Sequence, residues 1–330
     1  MVSQRAVNQL GNSIPALAIV GPTASGKSAL GLWLAHEGLP VEIISLDSAL
    51  VFQDMNIGTA KPTPEELAQV PHHLIDIITP EQSFSAADFL SENERLISEI
   101  RGRGKVPVIV GGTMMYYRAM LSGMDDLPQA DPQVRADIDA FAKQKGWPAV
   151  HDELAKVDPE TAARLFPNDS QRLQRALEVY RLTGLPLSSF HKRGEEGQQR
   201  QLPTLSLEPA DRSVLHDRIE QRFRNMLDQG LVQEVVGLLE KYTLNANMPS
   251  LRCVGYRQVH QYLQGQCTYD QMIAQGIAAT RQLAKRQITW LRSTPHKHVV
   301  DPLQSGWMEQ VKPWLIAQVS ELAAGIPRAG

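Results

Sequence analysis

The chain has 330 residues, 42% of them hydrophobic and 21% charged, enough to bury a large core and to divide into two lobes. No apolar run approaches the roughly 20 residues that span a bilayer, and the polar stretch Ser3 to Asn12 lacks the regions of a secretion signal, so a cytoplasmic protein is expected. A formal charge of -3 excludes indiscriminate nucleic-acid binding, and two cysteines, Cys253 and Cys267, neither in a C-x-x-C pair, exclude a disulfide framework and a thiolate zinc site.

In chain order, the apolar run Leu17 to Val20 predicts a strand, and Gly21-Pro22-Thr23-Ala24-Ser25-Gly26-Lys27-Ser28 follows it before a helix-forming stretch, Ala29 to His36. That octet fits G-x-x-x-x-G-K-[ST] in the strand-loop-helix context that makes it a phosphate loop. Its backbone N–H groups converge on an anion, Lys27 adds a point charge, and the Ser28 hydroxyl can ligate Mg2+. Further apolar runs at Val41–Leu46, Leu74–Ile78 and Val106–Val110 predict a parallel α/β sheet. In such sheets ligands bind beyond the carboxyl ends of the strands, so Gly21–Ser28, Asp47-Ser48 and Gly111-Gly112-Thr113 should meet at one site.

Three roles fit Asp47, a strand-end acid beside a phosphate loop: a magnesium-organising acid, a general base, or a helix cap without chemistry. Gly111 and Gly112 allow close backbone approach and Thr113 offers a hydroxyl, although the same residues also suit a tight turn. The adjacent His72 and His73 point to opposite faces of a strand and are assigned no metal. Ser85 and Asp88 have capping-box spacing at the start of a helix running to Ile100.

From about Asp125 the sequence turns charged and helix-forming, broken by prolines, which predicts an inserted all-helical lobe over 123–202; Arg193 to Arg200 closes it as an exposed loop. The α/β pattern resumes over 203–330, completing a core begun by 1–122. Strands are expected at Thr204–Leu207 and His298–Val300, three helices between them starting near Arg212, Cys253 and Tyr269, and a last helix over Trp307 to Ala323. The helix through His216 carries Arg218, Arg222 and Arg224; one of them reaching a diphosphate would complete a clamp with Lys27, and spacing does not choose among them. Basic patches lie at Gln171-Arg172-Leu173-Gln174-Arg175 with Arg181, at Arg252 and Arg257, and at Arg281, Lys285 and Arg292, whose spacing puts them near one helix face. Basic faces are usually solvated surface; Gln beside Arg in an inserted lobe also suits base and phosphate contacts.

Together the phosphate loop, Asp47-Ser48-Ala49-Leu50, Asn56-Ile57-Gly58-Thr59-Ala60-Lys61-Pro62, Gly111-Gly112-Thr113, Arg252-Cys253-Val254-Gly255-Tyr256-Arg257 and Ala279-Thr280-Arg281-Gln282-Leu283-Ala284-Lys285-Arg286-Gln287 resemble the bacterial tRNA dimethylallyltransferases, or isopentenyl-tRNA transferases, over nearly the whole chain. The resemblance implies a phosphate-loop-type parallel sheet flanked by helices, and transfer of a dimethylallyl group from its diphosphate to N6 of the adenosine just 3′ of the anticodon. It implies that Asp47 is the general base, Thr113 a hydroxyl near the breaking bond, Arg222 the clamp on the diphosphate with Lys27, and Mg2+ the cofactor at Ser28. It assigns tRNA contact to Asp47–Leu50, Thr113, Arg135, Gln171–Arg175 and Arg252–Arg257, with Arg281 and Lys285 as further candidates. Eukaryotic members often add a C-terminal Cys/His zinc finger, for which this chain has neither length nor cysteines; the short bacterial form, working as a monomer, is expected. Without the resemblance, two other classes fit the loop: a small-molecule kinase with the lobe as its lid, and a non-catalytic, nucleotide-regulated RNA-binding module.

Overall fold

The computed structural model describes residues 13–124, 127–194 and 200–326; Ser3 to Asn12, Asp125 and most of the expected loop at Arg193 to Arg200 lie outside them. The chain forms two compact units, one of residues 1–120 with 200–330 and one of residues 121–199.

In the first unit β1 (Leu17–Val20), β2 (Val41–Leu46), β3 (His72–His73), β4 (Val106–Gly111), β5 (Thr204–Leu207) and β6 (His298–Val300) form one parallel sheet of order β3-β2-β4-β1-β5-β6. Every residue of β1, β2, β4 and β5 is buried; β1 and β4 read as nearly continuous apolar runs, whereas β2 buries Glu42 and Ser45 and β5 buries Thr204 and Ser206 among its leucines. Helix α1 (Lys27–His36) follows the phosphate loop; α2 (Pro64–Gln69), α3 (Ala86–Gly102) and α4 (Met114–Ser122) complete the helices before the second unit. The capping box at α3 is present, with Ser85 N donating to Asp88 Oδ2 at 2.8 Å and Asp88 N to Ser85 Oγ at 3.2 Å.

The strand expected over Leu74–Ile78 does not form. Leu74 and Asp76 take left-handed φ values of 62° and 55°, which break an extended chain. Pairing is confined to His72 and His73, and Ile78 makes a lone bridge to Phe52. His73 Nε2 contacts Glu42 at 2.8 Å, which Arg103 also holds at 2.6 Å, whereas His72 Nδ1 faces the Val70 carbonyl at 2.9 Å.

The second unit contains α5 (Pro132–Lys145), α6 (Trp147–Val157), α7 (Pro159–Arg164), α8 (Ser170–Thr183) and α9 (Leu187–Gly194), around a core of Ile138, Val150, Leu154, Leu173, Ala176 and Leu177. The first part of the expected loop, Arg193-Gly194, is the end of α9.

Between β5 and β6 there are four helices rather than three: α10 (Arg212–Asp228), α11 (Leu231–Lys241), α12 (Tyr256–Leu263) and α13 (Tyr269–Ser293). Gly230, at φ 103°, turns the chain out of α10 into α11, and this break separates two stretches of similar composition. α11 matters because Glu234 lies on it. Its carboxylate accepts Asn56 N at 2.9 Å, Ile57 N at 2.7 Å, Gly58 N at 3.1 Å and the Tyr256 hydroxyl at 2.5 Å. A Cβ on Gly58 would fall 2.4 Å from the Tyr256 ring. The Asn56-to-Pro62 segment is therefore clamped against α11 and α12, and Lys61, donating to Phe52 O at 2.9 Å and paired with Asp76, fixes its other end. The last helix, α14 (Trp307–Ala324), packs Val311, Leu315 and Val319 into the core shared by β1, β4, β5 and α1. No helix among the described residues is long and apolar enough to cross a membrane.

Candidate active site

Sheet register brings three loops to one edge. Val20 pairs with Gly111 and Gly111 with Leu46, so Gly21, Asp47 and Gly112 leave the strands at the same level. The approach is close: a Cβ on Gly111 would lie 2.1 Å from the Leu46 carbonyl oxygen, which instead accepts Gly112 N and Thr113 N, each at 3.1 Å. Thr113 Oγ1 in turn accepts Ser48 N at 3.0 Å and donates to Ser48 Oγ at 3.3 Å. Asp47 Oδ1 accepts Ala49 N at 2.8 Å and Leu50 N at 3.4 Å, closing an Asx turn. The capping reading of Asp47 thus accounts for one oxygen; Oδ2 has no protein partner among the described residues.

Facing Asp47 are two cations. Burial, then the positive field of Arg222, lowers the Lys27 amine to about 8, with Asp47 opposing the shift. Burial likewise lowers the Arg222 guanidinium against the pull of Asp47. Lys27 Nζ donates to the Pro22 carbonyl at 2.7 Å, and neither cation has a carboxylate within ion-pair distance among the described residues. Two like charges set close together, with one carboxylate nearby but none in ion-pair contact, retain a net positive field that favours an anion. The structure also chooses among the three arginines of α10: Arg218 is exposed, Arg224 pairs with Glu220 at 2.9 Å, and Arg222 faces the loop.

The loop has the shape its sequence requires. Ala24 and Gly26 take φ values of 63° and 92°, and Leu215, Ile219, Ala284 and Ile288 pack on Ala24 to hold its unfavourable conformation. A Cβ on Gly21 would meet Ser25 Oγ at 2.8 Å and Leu207 O at 3.0 Å. No side chain caps α1, so its first N–H groups remain for an anion. Ser28, in the first turn of α1, is exposed, and Ser25 Oγ is buried without a hydrogen-bond partner among the described residues. Hydroxyl and carboxylate oxygens are the hard donors that suit Mg2+, so Ser28 fits that ion.

The residues expected to touch RNA divide sharply. Ser48, Gln171, Arg172, Arg252, Arg257 and Lys285 are exposed, and Asp47, Ala49 and Leu50 are partly so. Leu173 is fully buried in the core of the second unit, and Tyr256 and Gly255 are buried beneath α11, so these three are core and not contact residues. Val254 is partly buried, as is Cys253, whose thiol donates to Pro249 O at 3.4 Å and is pushed up to about 12 by burial and then by Asp47, which places it beside the acid.

Arg135 and Arg175 converge on Glu178, a wholly buried carboxylate. Arg135 Nε reaches it at 2.8 Å and Arg175 Nη1 at 2.7 Å, while Arg175 Nη2 also binds Pro128 O at 2.7 Å. Burial pushes the Glu178 carboxyl up, and the two arginines and Asp131 N outweigh it, leaving it below the usual range. Both arginines therefore hold the second unit together, and Gln174 is engaged with Asp139 at 2.6 Å. Glu178→Gln should destabilise the chain toward the low end of the roughly 3–5 kcal/mol that breaking a buried pair costs, because Arg135 keeps access to water. A thermal midpoint equal to that of the parent would refute this role.

Arg281 does not share an open face with Lys285 and Arg292. It turns to α10, reaching Glu220 at 3.0 Å and His216 O at 3.4 Å. Sequence reasoning gave no role to Gln287. Its buried amide accepts Thr23 N at 2.9 Å and donates to Gly112 O at 2.7 Å. A signal existed: Gln287 falls in the stripe of Ala284, Ile288 and Leu291, the buried face of α13, where a polar residue needs partners.

A parallel sheet whose first strand runs into a phosphate loop, with an acid and a hydroxyl delivered to the same edge by its neighbours, defines a phosphate-loop α/β enzyme of the group-transfer kind. More specifically, the chain belongs to the IPP transferase family, whose model matches residues 50–294. It is 56% identical over 304 residues to a tRNA dimethylallyltransferase of Cupriavidus necator, covering 90% of this chain and 94% of that one, and 57% identical over 304 residues to one of Ralstonia pickettii, covering 90% and 93%. Among solved structures it resembles the full-length tRNA isopentenylpyrophosphate transferase of Bacillus halodurans at 36% identity, with a TM-score of 0.66 over 94% of this chain and 98% of that one. It also resembles a eukaryotic dimethylallyltransferase captured acting on tRNA, at 26% identity and a TM-score of 0.78 over 94% and 80% of the two chains.

Proposed function

We propose that the enzyme transfers a dimethylallyl group from dimethylallyl diphosphate to N6 of the adenosine 3′ to the anticodon of tRNA, in the cytoplasm, releasing diphosphate. The observation that carries this is the one sheet edge at which the phosphate loop, Thr113 and Asp47, an acid with a free oxygen, meet. In the reaction the allylic C–O bond breaks, its electron pair leaves with the diphosphate, and the N6 lone pair forms the new C–N bond.

Negative charge grows on the departing oxygens, where the loop N–H groups, Lys27, Arg222 and Thr113 Oγ1 stabilise it. Asp47 Oδ2 takes the N6 proton, since the exocyclic amine is a poor nucleophile until that proton is shared. Mg2+ bound through Ser28 would supply further charge neutralisation on the diphosphate. To reach this buried edge the adenine must leave the anticodon-loop stack, at a cost of a few kcal/mol, so the RNA must be gripped elsewhere. Exposed Arg172, Arg252, Arg257 and Lys285 serve that purpose.

The test is incubation of unmodified tRNA with donor labelled in the prenyl group. Label should enter RNA only when tRNA, donor and enzyme are together. Activity with ATP as sole donor would instead favour a phosphotransferase.

A further inference from the structure

Among the described residues, Gln287 is the buried side chain that hydrogen-bonds both the phosphate loop and the Gly112 turn. From α13 its amide spans Thr23 N and Gly112 O, at 2.9 Å and 2.7 Å, and a Cβ on Gly112 would fall 2.5 Å from Gln287 Nε2 and 2.9 Å from Gly21 O. The hydrogen-bonded path continues from Gly112 and Thr113 to Leu46 O, and from Thr113 Oγ1 to Ser48, the neighbour of Asp47. One amide thus lies between the loop that holds the leaving group and the loops that carry the base. Donor and acceptor roles are both needed, because one partner is an N–H and the other a carbonyl; a carboxamide of this length serves both without a change of charge.

We propose that Gln287 is a positioning residue that sets the spacing between the diphosphate cradle and the Thr113 and Asp47 loops. The inference rests on the prenyl-transfer reading, in which the breaking C–O bond and the amine that attacks must be aligned across that gap. Misplacement by about 1 Å costs on the order of 10²-fold in rate. Thr23 N, released from Gln287, would also leave the cradle less ordered for its anion.

Gln287→Met keeps the length of the side chain and removes both bonds; Gly112→Ala intrudes on the same junction from β4. Each variant should lower kcat on the order of 10²-fold and weaken binding of inorganic diphosphate, read by calorimetry, while the Kd for tRNA stays within about two-fold because no RNA contact is removed. The double variant should be little worse than either single one, since both break one junction. Normal kcat and diphosphate affinity in the singles, multiplying losses in the double, or losses that follow tRNA affinity and thermal midpoint together would each overturn the proposal. If Gln287→Met does not fold, Gly112→Ala decides alone by the same split. Should the parent enzyme fail to prenylate tRNA, the functional reading falls, and diphosphate binding by the variants still decides whether Gln287 orders the cradle.

Discussion

Asp47→Asn should lower the rate of prenyl transfer by about 10²–10⁴-fold, the range general-base catalysis supplies, and leave tRNA affinity within a few-fold. The asparagine is the informative substitution because its Oδ1 still accepts Ala49 N and Leu50 N, so the turn at the end of β2 survives and only the basic oxygen is lost. Asp47→Ala removes both and should be at least as slow. The measurement is single-turnover prenyl transfer beside direct tRNA binding. If tRNA binding collapsed in Asp47→Asn while residual chemistry ran at the parent rate, Asp47 would be an RNA contact and not the base.

The second large effect concerns charge. Because burial and Arg222 hold the Lys27 amine at about 8, that amine is still protonated at neutral pH and loses its proton just above it. An arriving diphosphate favours the protonated form, so binding takes up a proton, and affinity falls as pH rises through about 8. Lys27→Met should remove that fall and cost about 10²–10³-fold in kcat/KM, the scale of one well-placed electrostatic contact. Taking the ratio of parent to Lys27→Met at each pH cancels titration of the ligand itself. Arg222→Met should shift the fall to higher pH, because it removes a positive neighbour that depresses Lys27. A parent profile flat between pH 7 and pH 9 (about the range in which a lowered lysine titrates) would contradict the electrostatic account of the clamp.

Much of this was legible in the sequence, for reasons that can be stated residue by residue. β1, β2 and β4 are buried on both faces, so each reads as a largely apolar run, and the meeting of the phosphate loop, Asp47 and the Gly-Gly-Thr turn at their carboxyl ends follows from parallel topology. Leu74–Ile78 is just as apolar but is bent by two left-handed residues that hydrophobicity does not record. α11 was hidden because a single glycine, Gly230, both ends one helix and begins the next. At the site, position alone placed Asp47 and Thr113 beside the phosphate loop but left the role of Asp47 open; spacing could not choose among Arg218, Arg222 and Arg224, a choice made by the family resemblance and otherwise readable only from the side of α10 that meets the loop.

Treating whole motifs as contact surfaces swept in core residues. Leu173, one position beyond Arg172 on α8 and so turned by about 100° from it, is buried in the core of the second unit, and Tyr256 anchors Glu234 beneath the surface that Arg252 and Arg257 occupy. The same blindness hid Gln287 and Glu234. Each makes partners far along the chain, Gln287 with Thr23 and Gly112 and Glu234 with Asn56 to Gly58, so the identity of the partners leaves no local pattern, although the apolar stripe around Gln287 marks it as needing some.

The central claim is that the phosphate loop holds a leaving group and transfers no phosphoryl group. Phosphorus NMR of a complete reaction, with tRNA, dimethylallyl diphosphate, Mg2+ and enzyme, tests it directly. Intact inorganic diphosphate should accumulate one for one with prenylated adenosine. Orthophosphate, or prenylated adenosine without diphosphate, would contradict it.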